Sequence, residues 1–442
     1  MSAANVVFGL NPLILSTVIL LLVYAALIAD TINRAIVSLL GACVMIVSGI
    51  LTQEMATKAI DANTIGLLTG MMILVSISRR SGLFQYLAIY SARQAKASPW
   101  GILLILQITT AVLSALLDNV TTVLLIVPVT LAITRALDVP AYPFLFAEVF
   151  ASNIGGTATL IGDPPNILIG SLADLSFNAF VVHLTPIILV IMAVQAVMIH
   201  FLWGRDLHTT PEARARIMAL TAADEIEDKV LLRQSVIVIG LVILGFVFAH
   251  QINLEPGTIA MLGATVLMLL DNWEHHSEKQ AENVHKTFTD VEWITIFFFI
   301  GLFITVHGVE VGGLLHWLAD HLIAATGGHM ASTGYAILWA SAILSAIIDN
   351  IPFVATMIPL VKDMAPALGG MHQIEPLWWC LSLGACLGGN GTLIGASANL
   401  TVAGIAEREG VRFSFWTYTK TAFPLMLVSV AIAHAYVWWR YF

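Results

Sequence analysis

The sequence predicts an all-α polytopic membrane fold: two inverted repeats, each of five transmembrane helices plus one re-entrant hairpin, with broken helices at the midplane. Three observations predict it. The 442-residue chain is 58% hydrophobic and only 11% charged, where a soluble domain carries roughly 25% charged residues. Apolar runs long enough to cross about 30 Å of hydrocarbon as helices recur along the whole length. The same sequence blocks also occur twice, in the same order. This composition excludes a soluble enzyme, and a net charge of -9 without a basic footprint excludes a nucleic-acid binder.

Hydropathy, punctuated by Gly, Pro and charge, places the elements in order. The first run, 12–29, lacks a basic n-region, exceeds a signal-peptide core and reads as a retained span. Crossings follow at 34–51, after Arg34, and at 63–79, which stops at Arg79 and Arg80. Stretch 99–137 is apolar but is split by Asp118-Asn119, so it reads as a hairpin that enters and leaves on one side. A crossing at 141–172 contains a glycine-rich break, and another covers 180–203. The second half has crossings at 230–250, 257–271 and 292–308, a hairpin at 329–367 split by Asp349-Asn350, and crossings at 375–407 and 415–438. Residues 1–203 thus form an N-terminal repeat, 204–229 a polar cytoplasmic linker, and 230–442 a C-terminal repeat.

Charge supports the layout. With both termini outside, all of the 19 basic residues except Lys58, Lys362 and Arg440 fall on the cytoplasmic side of the cell (inner) membrane. Making either hairpin a full crossing destroys that bias. Trp378 and Trp379 then read as an interfacial belt. Cys43, Cys380 and Cys386 all lie in apolar segments, which gives neither a disulfide framework nor a metal motif.

The repeat is explicit. Residues 70–88 match 301–319 at an offset of 231, which also carries SALLDN (114–119) onto SAIIDN (345–350) and Pro128 onto Pro359. After a two-residue slip, GGTATLIG (155–162) falls on GGNGTLIG (388–395) and Asn166 on Asn399. An odd number of crossings per copy forces opposite orientations. Inverted repeats with broken helices are a common secondary-transporter architecture that binds solute and coupling ion near the midplane.

Three constellations carry candidate chemistry. The hairpin tips, Asp118-Asn119-Val120-Thr121 and Asp349-Asn350-Ile351-Pro352, put carboxylates and amides deep in apolar sequence, where they serve as helix caps, as ligands, or as both. The glycine-rich breaks hold Thr157, Thr159 and Asn166 in one half and Asn390, Thr392 and Asn399 in the other, and unwound backbone at that depth lines a cavity. The acids Glu148 and Asp163 have no mates, since the corresponding positions are Leu381 and Ala396. An acid in one copy only is not serving the common fold, so both join Asp118 and Asp349 as proton-coupling candidates. No nucleophile-base pair, metal set or cofactor motif is present, so no enzyme activity is expected.

In LLDNVTTVLLIVPVT, NIGGTATLIGDPPNILI, IIDNIPFVATMIPLV and GACLGGNGTLIGASANL, the chain resembles the ion transporter superfamily of arsenite efflux pumps (ArsB), NhaD-type sodium/proton antiporters, the melanosomal P protein and the divalent anion:sodium symporters. The motifs resemble the P protein and its bacterial ArsB-like relatives most. The resemblance covers essentially the whole chain. It implies a scaffold and a mobile part, a homodimer, elevator-like alternating access, and a site at the tips and breaks, comprising Asp118, Asn119, Thr121, Thr157, Thr159, Asn166, Asp349, Asn350, Thr392 and Asn399. Two departures matter: Asp stands where the anion symporters carry Ser at each tip, and the better-known arsenite pumps lack the Asp-Pro-Pro-Asn run. The expected activity is proton-coupled efflux of arsenite or antimonite, a small inorganic substrate moved against a proton or sodium ion. The alternatives are sodium/proton antiport and a P protein-like anion channel or pH regulator. Partners are the lipid bilayer and, as a candidate, a soluble ATPase; nucleic acid is not one.

Overall fold

A computed structural model describes residues 6–29, 31–219 and 221–442. Among them are 21 α-helices and no strand. Sixteen of the helices form two series of eight. The first series is α1 (Pro12–Ala29), α2 (Arg34–Val47), α3 (Ala62–Arg79), α4 (Pro99–Leu116), α5 (Asn119–Ala136), α6 (Tyr142–Thr157), α7 (Pro164–Ala173) and α8 (Phe177–Ile199). The second is α9 (Lys229–Phe248), α10 (Pro256–Asn272), α11 (Trp293–Gly312), α12 (Met330–Ser345), α13 (Asn350–Met364), α14 (Glu375–Gly388), α15 (Ser397–Arg408) and α16 (Phe415–Tyr441). Each helix of the first series corresponds to the one eight places later. Nine helical segments among the described residues are long and apolar enough to cross a membrane.

Local chemistry explains the boundaries. Asn33 caps α2, Asp61 caps α3 and Asp228 caps α9, each accepting from a backbone N–H of the first turn. Prolines open α4, α6, α7, α10 and α14 at positions that need no N–H donor. The hairpins α4–α5 and α12–α13 turn at Asp118 and Asp349, and the breaks between α6 and α7 and between α14 and α15 fall in the glycine-rich strings.

Packing repeats as well. In the outer layer α2 lies on α11 and α3 on α10, so the two repeats clasp each other. In the inner layer α4 packs on α6 and α12 on α14, while α5 meets α15 and α7 meets α13 across the repeats. Gly155 and Gly388 permit the inner contacts: a Cβ on Gly155 would stand 2.5 Å from the Ala111 Cα, and one on Gly388 would stand 2.6 Å from the Ala342 Cα.

One expectation needs correction. Trp378 and Trp379 are buried, with Trp379 stacked on His183 at 4.6 Å and edge-on to Phe180, so they fill the protein core and form no interfacial belt. Within the segment 204–229, Pro211–Ala219 is helical and packs on α5, and Arg216 reaches the Ala136 carbonyl and Asp138. Amphipathic helices at Leu83–Gln94 and Leu314–Thr326 also interrupt what hydropathy leaves as loops.

Candidate functional site

Each tip is shaped by its own carboxylate. Asp118 accepts from the Thr121 N–H at 2.8 Å and from the Thr121 hydroxyl, capping α5. Asp349 accepts from the Ile351 N–H at 3.0 Å and from the Ser397 hydroxyl at 2.7 Å. The hairpins are then tied to the breaks. Ser114 donates to the Ser152 carbonyl and Ser345 to the Ala385 carbonyl, at 2.6 and 2.7 Å. Thr159 donates to the Ala115 carbonyl and Thr392 to the Ala346 carbonyl, at 2.5 and 2.6 Å. Asn166 closes its own break by donating to the Thr157 and Thr159 carbonyls, and Asn399 does the same with Gly389 and Thr392. Thr157 donates back to the Asn153 carbonyl. The threonines and asparagines of the breaks therefore hold the unwound backbone in shape.

The two halves meet at Asp163, which is fully buried. Asn119 of the first tip donates to its carboxylate at 3.2 Å, and Asn350 of the second tip donates at 3.4 Å. The unmatched acid thus joins both tips, while the second repeat carries Ala396 at the corresponding position. Among the described residues, no Lys or Arg forms an ion pair with it. Burying an unpaired carboxylate costs several kcal/mol.

Beside it lies an amide cluster. Asn153 accepts from Asn119 at 3.1 Å and donates to Asn390 at 2.9 Å and to Asn399 at 2.8 Å. At the corresponding place of the other repeat stands Cys386, where Ser382 donates to Asn166 at 2.6 Å and the Cys386 thiol lies 3.6 Å from the same oxygen. Two polar atoms of the cluster, Asn119 Oδ1 and Asn390 Nδ2, are buried without a protein partner, one an acceptor and one a donor. Sequence reading passed over Asn153 and Ser382; an amide two residues before the glycine break was the available signal.

From the second tip a cleft of about 270 Å³ opens outward, lined by Asp349, Ser397, Thr401, Arg34 and Phe298 among others. Arg34 donates to Ser397 at 2.5 Å and to Thr295 at 2.9 Å, and its guanidinium lies over the Phe298 ring. A second cleft, of about 300 Å³, occupies the corresponding place in the other repeat, lined by Asn63, Leu160, Ile167 and Glu255 among others. Glu148 stands apart, buried on α6 and bonded to Thr130. Of the predicted residues, then, Asp163, Asn119, Asn350, Asn390 and Asn399 gather into one network, Asn166 adjoins it through the break, and Asp118 and Asp349 cap the tips. Thr121, Thr157, Thr159 and Thr392 support the backbone.

Paired hairpins and broken helices that converge on a buried polar centre, all within an apolar helical body, define a membrane transporter. Two solved transporters share the fold: YdaH of Alcanivorax borkumensis, with a TM-score of 0.62 at 12% identity over 97% of this chain and 98% of that one, and MtrF of Neisseria gonorrhoeae, with 0.60 at 12% over 98% and 95%. The chain belongs to the citrate transporter family CitMHS, whose model matches residues 22–384. It is 40% identical to an uncharacterized transporter of Mycobacterium tuberculosis over 97% of this chain and 99% of that protein. It is also 32% identical to the P protein of Sus scrofa over 96% of this chain and 59% of that protein.

Proposed function

We propose that the chain is a proton-coupled secondary transporter that exports arsenite or antimonite, with Asp163 as the coupling carboxylate and the two tips as the solute-binding surface. The observation that carries this reading is the single unmatched carboxylate held between Asn119 and Asn350. A proton on Asp163 removes a buried charge with which no basic side chain among the described residues pairs, and its departure restores that charge, so proton binding and the relative stability of the site's states are linked. Near neutral pH arsenite is an uncharged trihydroxide, and each hydroxyl both donates and accepts. The unpaired Asn119 acceptor and Asn390 donor suit such a solute. Free citrate suits the centre less, because its carboxylates would face Asp118, Asp163 and Asp349.

The same acids also favour a second reading, sodium/proton exchange, in which a cation on Asp163 uses Asn119 Oδ1 as a further ligand. On either reading both termini lie outside and the linker is cytoplasmic, as the basic residues favour. A homodimer with an elevator motion of the hairpins and breaks against the outer layer belongs to the same proposal.

Proteoliposomes test it. Arsenite added under a proton gradient should accumulate in vesicles carrying the wild-type chain, and Asp118→Asn or Asp349→Asn should abolish the accumulation while the protein stays monodisperse. Full activity in both variants would remove the tips from the site.

A further inference from the structure

The N-terminal repeat buries polar side chains where its mate is apolar. On α6, Glu148 is 1% exposed; its Oε1 accepts from the Thr130 hydroxyl on α5, and its Oε2 has no protein partner. Both amide atoms of Gln107 and the Thr110 hydroxyl on α4, with the Thr122 hydroxyl on α5, are likewise buried without protein partners. The positions that correspond to Gln107, Thr122, Thr130 and Glu148 are Leu338, Phe353, Val361 and Leu381; only Thr110 has a polar mate, Ser341. The second repeat builds the same helices with apolar side chains, so the fold does not require the polar ones. Each unpaired buried polar atom costs about 1–3 kcal/mol.

These groups line up. Trp100 at the start of α4 packs on His200, Tyr142 and Phe146 at the start of α6 pack on Trp203, and Gly155 near the end of α6 meets Ala111 near the end of α4, so α4 and α6 run parallel. That sets Gln107 and Thr110 beside α6 within about a turn or two of Glu148. Helix α5 runs the other way, from Asn119 at the tip through Thr122 to Thr130 against Glu148. Glu148 is five residues before Asn153, about 7.5 Å along the helix, on the side where α4 and α6 begin. Of the charged groups on helices packed against α6, Arg135 of α5 pairs with Glu409, His183 of α8 faces Glu375 of α14 at 3.7 Å, and Glu407 and Arg408 close α15; among the described residues none forms an ion pair with Glu148.

We propose that Gln107, Thr110, Thr122, Thr130 and Glu148 form a one-sided proton path that loads Asp163 from the face where α4 and α6 begin, with Glu148 as the intermediate acceptor. It rests on the proton-coupled reading above. A hydronium ion on that face gives a proton to the Glu148 carboxylate and leaves as water. The proton then passes to the Asp163 carboxylate through the threonine hydroxyls and bridging water, which regenerates the Glu148 carboxylate. Only O–H bonds form and break, and no electron moves.

The test compares two modes in proteoliposomes, with arsenite and sodium each used as probe: accumulation driven by a proton gradient, and exchange of labelled for unlabelled probe at equal pH. Glu148→Gln should cut the driven mode about a hundredfold, the scale of a lost proton-transfer group, and leave exchange unchanged. Thr130→Val, which installs the residue type of the second repeat, should slow the driven mode selectively and decides the matter if Glu148→Gln does not fold. Wild-type driven rates in a folded Glu148→Gln, or in Thr130→Val if Glu148→Gln does not fold, would overturn the path and leave Asp163 as the coupling group. A wild-type chain that couples neither probe to protons would overturn the path and the coupling reading together.

Discussion

Replacing Asn153 by Ala removes the group that joins the two repeats' amides. Asn399 Oδ1 and Asn390 Oδ1 both accept from Asn153 Nδ2 and would lose that donor, while Asn119 Nδ2 keeps its bond to Asp163. Two newly unpaired buried acceptors at about 1–3 kcal/mol each give a destabilisation of about 2–6 kcal/mol. Cys386→Ala supplies the contrast. Its thiol is a weak donor 3.6 Å from Asn166 Oδ1, and that oxygen keeps the Ser382 hydroxyl at 2.6 Å, so this variant should cost far less. Thermal unfolding in detergent, followed by tryptophan emission, ranks them. Asn153→Ala should melt well below wild type and Cys386→Ala close to it. Equal midpoints for the two, or the reverse order, would refute the assignment of the amide cluster as the clasp between repeats.

Gly155→Ala and Gly388→Ala should each prevent close approach of the inner helices, since the new Cβ would stand about 2.5 Å from backbone atoms of Ala111 or Ala342. Loss of the monodisperse peak in size exclusion is expected, at a cost of at least the 1–3 kcal/mol typical of overpacking. Arg34→Ala frees Ser397 and Thr295 from a partly exposed guanidinium and should change the half-saturating solute concentration with little change in melting, because the cleft it lines leads to the second tip. An unaltered transport curve would remove the cleft from the solute's route. Cys380 and Cys386 are buried on α14, so neither should react with maleimide in the folded protein and both should react after denaturation; rapid labelling of either in the native protein would contradict the packing of α14.

Much of this architecture was legible in the sequence, because the repeat is preserved where the backbone is hardest to build. Asp118 and Asp349 recur since each turn needs a cap, and the glycine strings recur since the breaks admit little else. Asp163 stood out for the opposite reason, lacking a mate. What escaped reading was chemistry that breaks the symmetry without a charge to betray it. Asn153 corresponds to Cys386, and one amide in an apolar helix does not disturb hydropathy. Trp378 and Trp379 misled because position along a helix says nothing about which side faces lipid; the ring of His183, brought from another helix, decides their place. The short helices Leu83–Gln94 and Leu314–Thr326 escaped because each carries polar residues among its apolar ones and falls short of a span.

The central claim is that one carboxylate, shared by both tips, couples solute movement to protons. Arsenite uptake into inside-out vesicles carrying the purified chain, under an imposed proton gradient, tests it most directly when wild type is compared with Asp163→Asn. The account predicts gradient-dependent accumulation by wild type, its collapse when a protonophore is added, and none by a folded Asp163→Asn. Undiminished, gradient-driven accumulation by Asp163→Asn would contradict it, and proton movement driven by sodium with no arsenite flux would make the chain a cation exchanger.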